Sequence, residues 1–199
     1  MANLPPDVDP HSRFRLPFPK REDLDEESRA EYDKLASPRS GTIRGLHGPA
    51  GIRLWSPKAA ILSQPINTYL RFQSGFPPRR REVAILAAAR ECDSRFEWAA
   101  HEPEALKEGV PREVVETIKH RRPTAALDEE DRLMIEVARE TLGKRKLSSA
   151  TFAAALKHFG PKKLVDLVSL MGNYAATAAL LTAFDMQLDD GETALLPVP

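Results

Sequence analysis

The spacing of apolar residues limits the possible folds of this chain more than any other feature. From Arg81 onward the apolar side chains recur at the intervals of one helix face, at Val83, Ile85, Leu86, Ala89 and Cys92. No segment of useful length alternates apolar and β-branched residues between hairpin turns. The sequence therefore predicts an all-α fold of about seven or eight helices joined by short loops.

Proline, glycine and capping residues predict where the helices begin and end. Ser56 and Pro57 suit the N-cap and first position of a helix that runs to about Ser74. Pro65 lies inside that helix, so we expect a kink or a break there. Gly160 suits the end of one helix, and the residue after it, Pro161, opens the last and longest one, which runs to about Phe184.

The chain divides by composition into an arm, a helical domain and a tail. Residues 1–20 contain five prolines and no apolar period, which predicts an extended N-terminal arm. Residues 21–186 form the predicted helical domain, and residues 187–199 form a polar, then proline-rich C-terminal tail. In the arm, Phe14, Leu16 and Phe18 alternate, which favours docking onto an apolar surface. Within the domain, Ser37 to Gly51 holds four glycines and two prolines and is predicted to be a loop.

Charge and cysteine content argue against several classes of protein. The 29 basic and 29 acidic residues balance, so we expect neither a nucleic-acid nor a membrane partner. The single cysteine, Cys92, permits neither an intrachain disulfide nor a cysteine-based metal cluster. The N-terminus lacks the apolar run of a signal peptide, and we expect a cytoplasmic protein. Asp166 and Asn173 interrupt the apolar stretch Leu164 to Phe184, which we interpret as a buried helix rather than a membrane span.

Three ionisable residues are the first candidates for a functional site. Glu97 and His101 are four apart on one predicted helix and therefore share a face. Glu82 opens the preceding helix, and spacing alone does not settle whether it joins them. Glu97 has a second interpretation, because Ser94 and Glu97 match a capping box in which the glutamate bonds the backbone N–H of the serine. Zinc is a competing idea, but the pattern is not His-Glu-x-x-His, so we predict no metal.

Two polar residues interrupt the last apolar helix. Asn173 and Tyr174 need hydrogen-bond partners if they are buried there. They line the same pocket as Glu82, Glu97 and His101, or they join a separate hydrogen-bond network at an interface. The sequence leaves both possibilities open.

The central segment resembles the carboxymuconolactone decarboxylase family, which includes the alkylhydroperoxidase D-like proteins. The residues that carry the resemblance are Arg81-Glu82, Ala84-Ile85-Leu86, Ser94-Arg95-Phe96-Glu97-Trp98, His101, Ala105 and Gly109-Val110. Further similarity, in Leu54-Trp55-Ser56-Pro57, Leu70-Arg71-Phe72, Leu164-Val165-Asp166-Leu167 and Asn173-Tyr174, extends it over roughly residues 45–186.

The resemblance implies an alkylhydroperoxidase D-like helical bundle that assembles into a dimer, trimer or hexamer, with sites near subunit contacts. In the peroxidase branch a Cys-x-x-Cys motif does the redox chemistry, assisted by residues that match Glu82 and His101. Here Ser94 and Glu97 stand at the two cysteine positions. Cys92 is displaced by two residues and has no resolving partner. A dithiol mechanism needs two thiols that can bridge, so we reject it.

The decarboxylase branch, which the resemblance describes as free of metal and organic cofactor, suggests the function. We predict a carboxy-lyase-like enzyme that decarboxylates, isomerises or ring-opens a small carboxylated or lactone-type compound, as in the catabolism of aromatic compounds. The predicted catalytic residues are Glu82, Glu97 and His101, and the predicted substrate-binding residues are Ser94, Trp98 and Tyr174. We expect His101 to stabilise an enolate-like anion and Glu82 to act as a general acid/base with a pKa raised by burial. The alternative is a noncatalytic, oligomeric binding module on the same scaffold.

Overall fold

A computed structural model describes residues 4–37 and 43–197, and the described residues are mainly helical, with no strand among them. Their eight helices are α1 (Glu26–Ala36), α2 (Pro49–Arg53), α3 (Pro57–Phe72), α4 (Pro78–Glu91), α5 (Arg95–Lys107), α6 (Arg112–Lys119), α7 (Glu129–Ala138) and α8 (Ser149–Ala183). A short 3-10 turn precedes α1, and a π-helical turn, Arg139–Gly143, follows α7. The prediction of an all-α fold with seven or eight helices is confirmed.

The residues group into two compact units. The first comprises the described residues up to 66 together with residues 179–193, and the second comprises residues 67–178 together with residues 194–197. In the first unit a small core forms around Leu35, Ala50 and Leu54. In the second a larger core collects apolar side chains from α4 to α8. The predicted division into arm, domain and tail stays a prediction.

Helix α4 is the centre of the second unit. Every residue from Arg81 to Arg90 is buried, and α4 packs against α5, α6 and α7. Its sequence explains this position, because every residue from 83 to 89 is apolar and the alanines at 84 and 87–89 let neighbouring helices approach closely from several sides. The carboxyl group of Glu82 is therefore carried into the protein interior by the backbone of α4.

Several predicted helix boundaries are confirmed, and two details differ. Asp128 caps α7 by accepting a hydrogen bond from the Asp131 N–H, at 3.0 Å. The helix is not broken at Pro65, because α3 continues through that residue, and a kink there stays a prediction. The predicted loop over residues 37–51 ends early, since α2 begins at Pro49, a residue type that suits the first helical position. Residues 38–42 of that loop lie outside the described part of the chain.

The alternation of aromatic and aliphatic residues in the arm matches its burial. Phe14 is fully buried and Phe18 is half-buried, whereas Arg15 between them is exposed. The Arg15 N–H donates to the Phe184 carbonyl at 2.9 Å, and the Arg13 carbonyl accepts from the Gln187 N–H at 2.9 Å. The arm is thus bound, within the first unit, to the segment that follows α8.

Helix α8 is interrupted where the sequence predicts it. Gly160 has φ 71° and ψ 168°, which is left-handed backbone that glycine adopts readily, and Pro161 restarts the helix. By length and composition alone α8 is apolar enough to cross a membrane, with a mean hydropathy of 1.5 over its most apolar window. Half of that window is buried inside the protein.

Two glycines in α8 give opposite predictions for the same substitution. Gly160→Ala forces a side chain into left-handed backbone and should lower the free energy of unfolding by about 1 kcal/mol. Gly172→Ala, at an exposed helical position with nothing within 4 Å of the added carbon, should raise it by about 0.5–1 kcal/mol. Urea denaturation of both variants measures this pair, and a Gly160→Ala protein as stable as the wild type would contradict the assigned backbone geometry.

Candidate active site

A tight chain reversal places α5 against α4. Asp93 adopts left-handed backbone with φ 48°, and its N–H donates to the Arg90 carbonyl at 3.1 Å. The next N–H, that of Ser94, donates back to the Ala89 carbonyl at 2.9 Å. These two hydrogen bonds form a Schellman motif, which ends α4 and turns the chain directly into α5.

This reversal brings Glu82 and His101 into contact. The Oε2 atom of Glu82 lies 2.8 Å from Nδ1 of His101, and the two residues are 2% and 3% exposed. On the other side of the imidazole, Nε2 lies 3.6 Å from Oε2 of Glu97, which is 4% exposed. All three predicted catalytic side chains therefore meet in the interior, and Glu82 joins the pair whose proximity the sequence had indicated.

Arg81 holds the second oxygen of the Glu82 carboxylate. Its Nε donates to Oε1 of Glu82 at 3.2 Å, while its Nη1 donates to the backbone carbonyl of Arg71 at 3.0 Å. Both oxygens of Glu82 thus accept a hydrogen bond from a nitrogen, and the carboxylate orientation is fixed by two different helices.

The ionisation of Glu82 differs from the sequence-based expectation. Burial by itself would raise the pKa of Glu82, but the hydrogen bond and charge of His101, together with those of Arg81, outweigh it and lower the pKa below its ordinary value of 4.5. The expected raised pKa is therefore wrong. Glu82 is a carboxylate at neutral pH, suited to accept the Nδ1 proton of His101 rather than to donate one.

Tyr174 completes the site from α8. Its ring meets the His101 ring edge to face, with centroids 5.2 Å apart and an interplanar angle of 83°. Burial raises the pKa of Tyr174 far above its usual range, and the carboxylates of Glu97 and Glu82 add to this, so the phenol stays protonated. Asn173 instead donates to the Asn67 side chain at 3.1 Å. The two residues for which the sequence left alternatives thus have different surroundings, and only Tyr174 touches His101.

The predicted capping box at the start of α5 does not form. Ser94 occupies the N-cap position but makes no side-chain capping hydrogen bond, and it is buried. Its backbone N–H, which Glu97 was expected to bind, is already engaged by Ala89 in the Schellman motif. The Ser94 N–H is therefore taken by Ala89, and the carboxylate of Glu97 lies beside His101.

The position of Trp98 argues against its predicted contact with substrate. The residue is 0% exposed and belongs to the hydrophobic core, and its indole N–H donates to the carboxylate of Glu102. Glu102 in turn forms an ion pair with Lys119 at 3.0 Å, and the Lys119 ammonium lies 5.7 Å from the centroid of the indole ring. The polar atom of Trp98 is thus committed to a structural network, which leaves it no free hydrogen-bonding group for a substrate.

The structure also describes the surroundings of the single thiol, Cys92, and of the possible metal ligands. Burial, and after it the charge of Glu91, raise the pKa of the Cys92 thiol, which favours the unreactive protonated form. Across the described residues, no group of three or more His, Cys, Asp and Glu side chains is arranged to hold a metal ion. The absence of a bound metal stays a prediction.

Sequence reasoning assigned no role in the site to two arginines. Arg81 is adjacent to Glu82 in sequence, and side chains at successive helix positions do not ordinarily face each other. Arg71 lies at the end of another helix, and its proximity to Arg81 depends on how α3 and α4 are connected. The only sequence signal for either residue was the family resemblance, which includes both positions.

Comparison with known proteins adds a family to this geometry. Residues 58–140 match the family model described as the carboxymuconolactone decarboxylase family. The match begins within α3, ends just after α7 and contains Glu82, Glu97 and His101, whereas Tyr174 lies beyond it. Neither the curated proteins nor the solved structures that were searched returned a match.

The lowered pKa of Glu82 predicts how the stability of the Glu82→Gln variant varies with pH. A carboxylate whose pKa is lower when folded stabilises the protein fully above its unfolded pKa of 4.5, and this stabilisation is lost as the pH falls through the folded pKa. Glu82→Gln should therefore lower the free energy of unfolding by about 1–3 kcal/mol near neutral pH. The difference from wild type should shrink in acid.

Urea denaturation at about pH 7 and about pH 3.5 measures this difference. Glu113→Gln, which removes an exposed carboxylate in the first turn of α6, is the control and should change stability little at either pH. A wild-type advantage over Glu82→Gln that grows toward acid pH would contradict the assignment.

Proposed function

Residues 58–140 of this chain belong to the carboxymuconolactone decarboxylase family, and from that premise we propose an enzyme that performs acid–base chemistry without a cofactor. Its substrate is a small carboxylated or lactone-type compound. The observation that carries the proposal is the 2.8 Å contact between Glu82 and His101 in the protein interior, with Glu97 beside the other imidazole nitrogen. A buried imidazole oriented by a carboxylate is a common means of moving protons in enzymes.

The tautomer of His101 follows from the charge of Glu82. Because the Glu82 carboxylate only accepts hydrogen bonds, Nδ1 of His101 carries a hydrogen and donates it. Nε2 is then the nitrogen that exchanges a proton with the substrate. The distance of 3.6 Å between Nε2 of His101 and Oε2 of Glu97 is longer than a hydrogen bond. Glu97 can therefore orient His101 or share its proton while Nε2 remains available to the substrate.

Decarboxylation illustrates how these groups act together. When the bond to the carboxylate carbon breaks, CO2 leaves and its electron pair remains on the conjugated substrate as an enolate-like anion. A protonated Nε2 of His101 stabilises that anion and then transfers its proton to it, and solvent restores the proton to His101. The Glu82 carboxylate stabilises the positive imidazolium before the transfer, and the neutral phenol of Tyr174 offers a further hydrogen-bond donor.

Isomerisation and ring opening require the same arrangement of groups. Each passes through an anion on a carbonyl-type oxygen that His101 can stabilise, and each needs one proton returned. Ser94 remains a proposed substrate contact, because its buried hydroxyl lies one turn before Glu97 and caps no helix N–H. A small organic acid or lactone is the proposed ligand, and we propose no nucleic-acid or membrane partner and a cytoplasmic location.

Replacing His101 tests the catalytic proposal directly. His101→Ala should lower turnover by about 100-fold or more, since general acid–base catalysis typically contributes that much. The assay is a panel of lactones and keto acids followed by product formation with wild type and variant. His120→Ala is the matched control, because His120 is exposed and pairs with the nearby Glu116 on α6. A His101→Ala protein with near-normal turnover would exclude His101 as the catalytic group.

A noncatalytic binding module is the second candidate, favoured by one specific observation. Glu82 and His101 bond each other while only 2% and 3% exposed, which is also how a purely structural pair would look. The same panel separates the two functions. Binding of organic acids without turnover of any of them by the wild type would favour the binding module.

We also propose a homo-oligomer, a dimer, trimer or hexamer. The support is a set of large apolar side chains exposed on α3 in the first unit, where Leu62 is 63% and Ile66 is 59% exposed. They are four residues apart and so share one helix face, as expected for a surface that a second copy covers.

Sedimentation of the wild type at micromolar concentration should therefore show an oligomer, and Ile66→Glu should shift it toward monomer. Lys157→Glu, at an exposed position of α8, introduces a similar charge as control and should leave the assembly unchanged. A wild-type protein that sediments as a monomer would refute the proposed assembly.

A further inference from the structure

The segment 141–165 differs in charge from the rest of the chain. It contains six lysines and arginines and no aspartate or glutamate, whereas the remaining residues have an excess of six acidic side chains. The segment comprises the end of the π-helical turn, the first part of α8 and the restart of that helix after Gly160, and all of it belongs to the second unit. Basic charge concentrated in this way in a neutral protein produces a local positive potential, which marks a candidate interaction surface.

Three of these cations are not neutralised by the protein itself. Lys146, Lys157 and Lys163 are exposed, and among the residues that the structure describes no carboxylate pairs with any of them. Lys162 behaves differently, because its ammonium group binds Asp166 at 2.8 Å. The three unpaired ammonium groups are therefore available to carboxylates of another molecule.

Apolar side chains lie between the cations on the first part of α8. Phe152 is 47% and Leu156 is 36% exposed, and their spacing of four residues places them on one helix face. Phe159 continues this face and is half-buried, with its ring edge to face against Phe76 and the two centroids 6.3 Å apart. The apolar face is thus anchored in the core at one end and exposed along the rest of its length. We call the exposed residues of this surface the basic ridge, which comprises Lys144, Arg145, Lys146, Phe152, Leu156, Lys157 and Lys163.

We propose that the basic ridge is a docking surface for a partner protein that presents an acidic helix with an apolar stripe. Exposed apolar side chains rimmed by polar ones are typical of interaction sites, where a few anchor residues supply most of the binding energy. An amphipathic helix of the partner can place its apolar stripe on Phe152 and Leu156. Its flanking carboxylates then pair with Lys146 and Lys157, so the two surfaces are complementary in charge. This contact is independent of the proposed catalysis.

An anionic membrane fits the basic ridge less well than an acidic helix does. Membrane-bound amphipathic helices bury a broad apolar face between the lipid headgroups, whereas the first part of α8 exposes two large apolar side chains, Phe152 and Leu156. A flat anionic surface would also meet the carboxylate of Glu129, which lies 3.6 Å from His158 and whose side chain is 66% exposed. A partner helix about 10 Å wide can bind along the ridge alone.

Peptide binding to the full chain tests this assignment. The probe is a fluorescent helical peptide of about 20 residues in which glutamates flank a single stripe of leucines, and fluorescence anisotropy measures its affinity. A second peptide of the same composition has its leucines spread around the helix. The wild type should bind the first peptide about tenfold or more tightly, because the second cannot bury its leucines and place its carboxylates at the same time. Raising the salt from about 50 mM to about 500 mM should weaken the binding of the first peptide, since salt screens the charge pairs.

Two variants separate the charged and the apolar contributions. Lys144→Gln, Lys146→Gln and Lys157→Gln combined in one protein should weaken binding of the first peptide by about tenfold, because each exposed charge pair contributes modestly. Phe152→Ser removes an exposed ring and should also weaken binding by about tenfold, but it should leave the dependence on salt unchanged.

The matched control combines Lys20→Gln, Lys34→Gln and Lys107→Gln, which lower the net charge equally at exposed positions elsewhere and should leave binding as in the wild type. Wild-type affinity in the triple variant of the ridge, or in Phe152→Ser, would overturn the assignment. So would a wild type that binds phosphatidylserine vesicles but not the peptide. A Phe152→Ser protein that sediments as a monomer beside an oligomeric wild type would likewise overturn it, because a second copy of this chain would then cover the ridge.

Discussion

The buried contact between Glu82 and His101 is the interaction on which both the fold of the second unit and its proposed chemistry depend. A carboxylate in the protein interior is strongly disfavoured unless other groups compensate for its lost hydration. Here Arg81 binds one oxygen and His101 binds the other. These hydrogen bonds keep the group ionised, and the ionised group in turn determines which imidazole nitrogen carries a hydrogen.

Much of this arrangement follows from local sequence signals. Apolar spacing predicts α4, and the Asp93-Ser94 break predicts the return into α5. The i, i+4 spacing of Glu97 and His101 requires them to be neighbours. Short-range rules suffice for these features because each depends on residues within one or two helical turns. The Gly160-Pro161 interruption belongs to the same class, since it follows from the backbone preferences of two adjacent residues.

Other features were beyond sequence reasoning because they depend on competition between groups from different segments. The backbone N–H of Ser94 had two possible acceptors, the carboxylate of Glu97 and the carbonyl of Ala89. In the structure it donates to the carbonyl of Ala89. Burial and hydrogen bonding shift the pKa of Glu82 in opposite directions, and only the actual contacts with Arg81 and His101 show that hydrogen bonding prevails. The sequence predicts that Trp98 binds substrate, but its indole N–H donates to the carboxylate of Glu102.

The crowding of α4 has a consequence for how such a protein diversifies. Its alanines at 84 and 87–89 are at most 1% exposed, so larger side chains there would displace neighbouring helices and misplace His101. Substitutions are tolerated more easily at exposed positions such as Phe72 and Val165, which are both more than half exposed. A rigid core beside a surface that tolerates substitution would let the proposed acid–base site accommodate different small molecules.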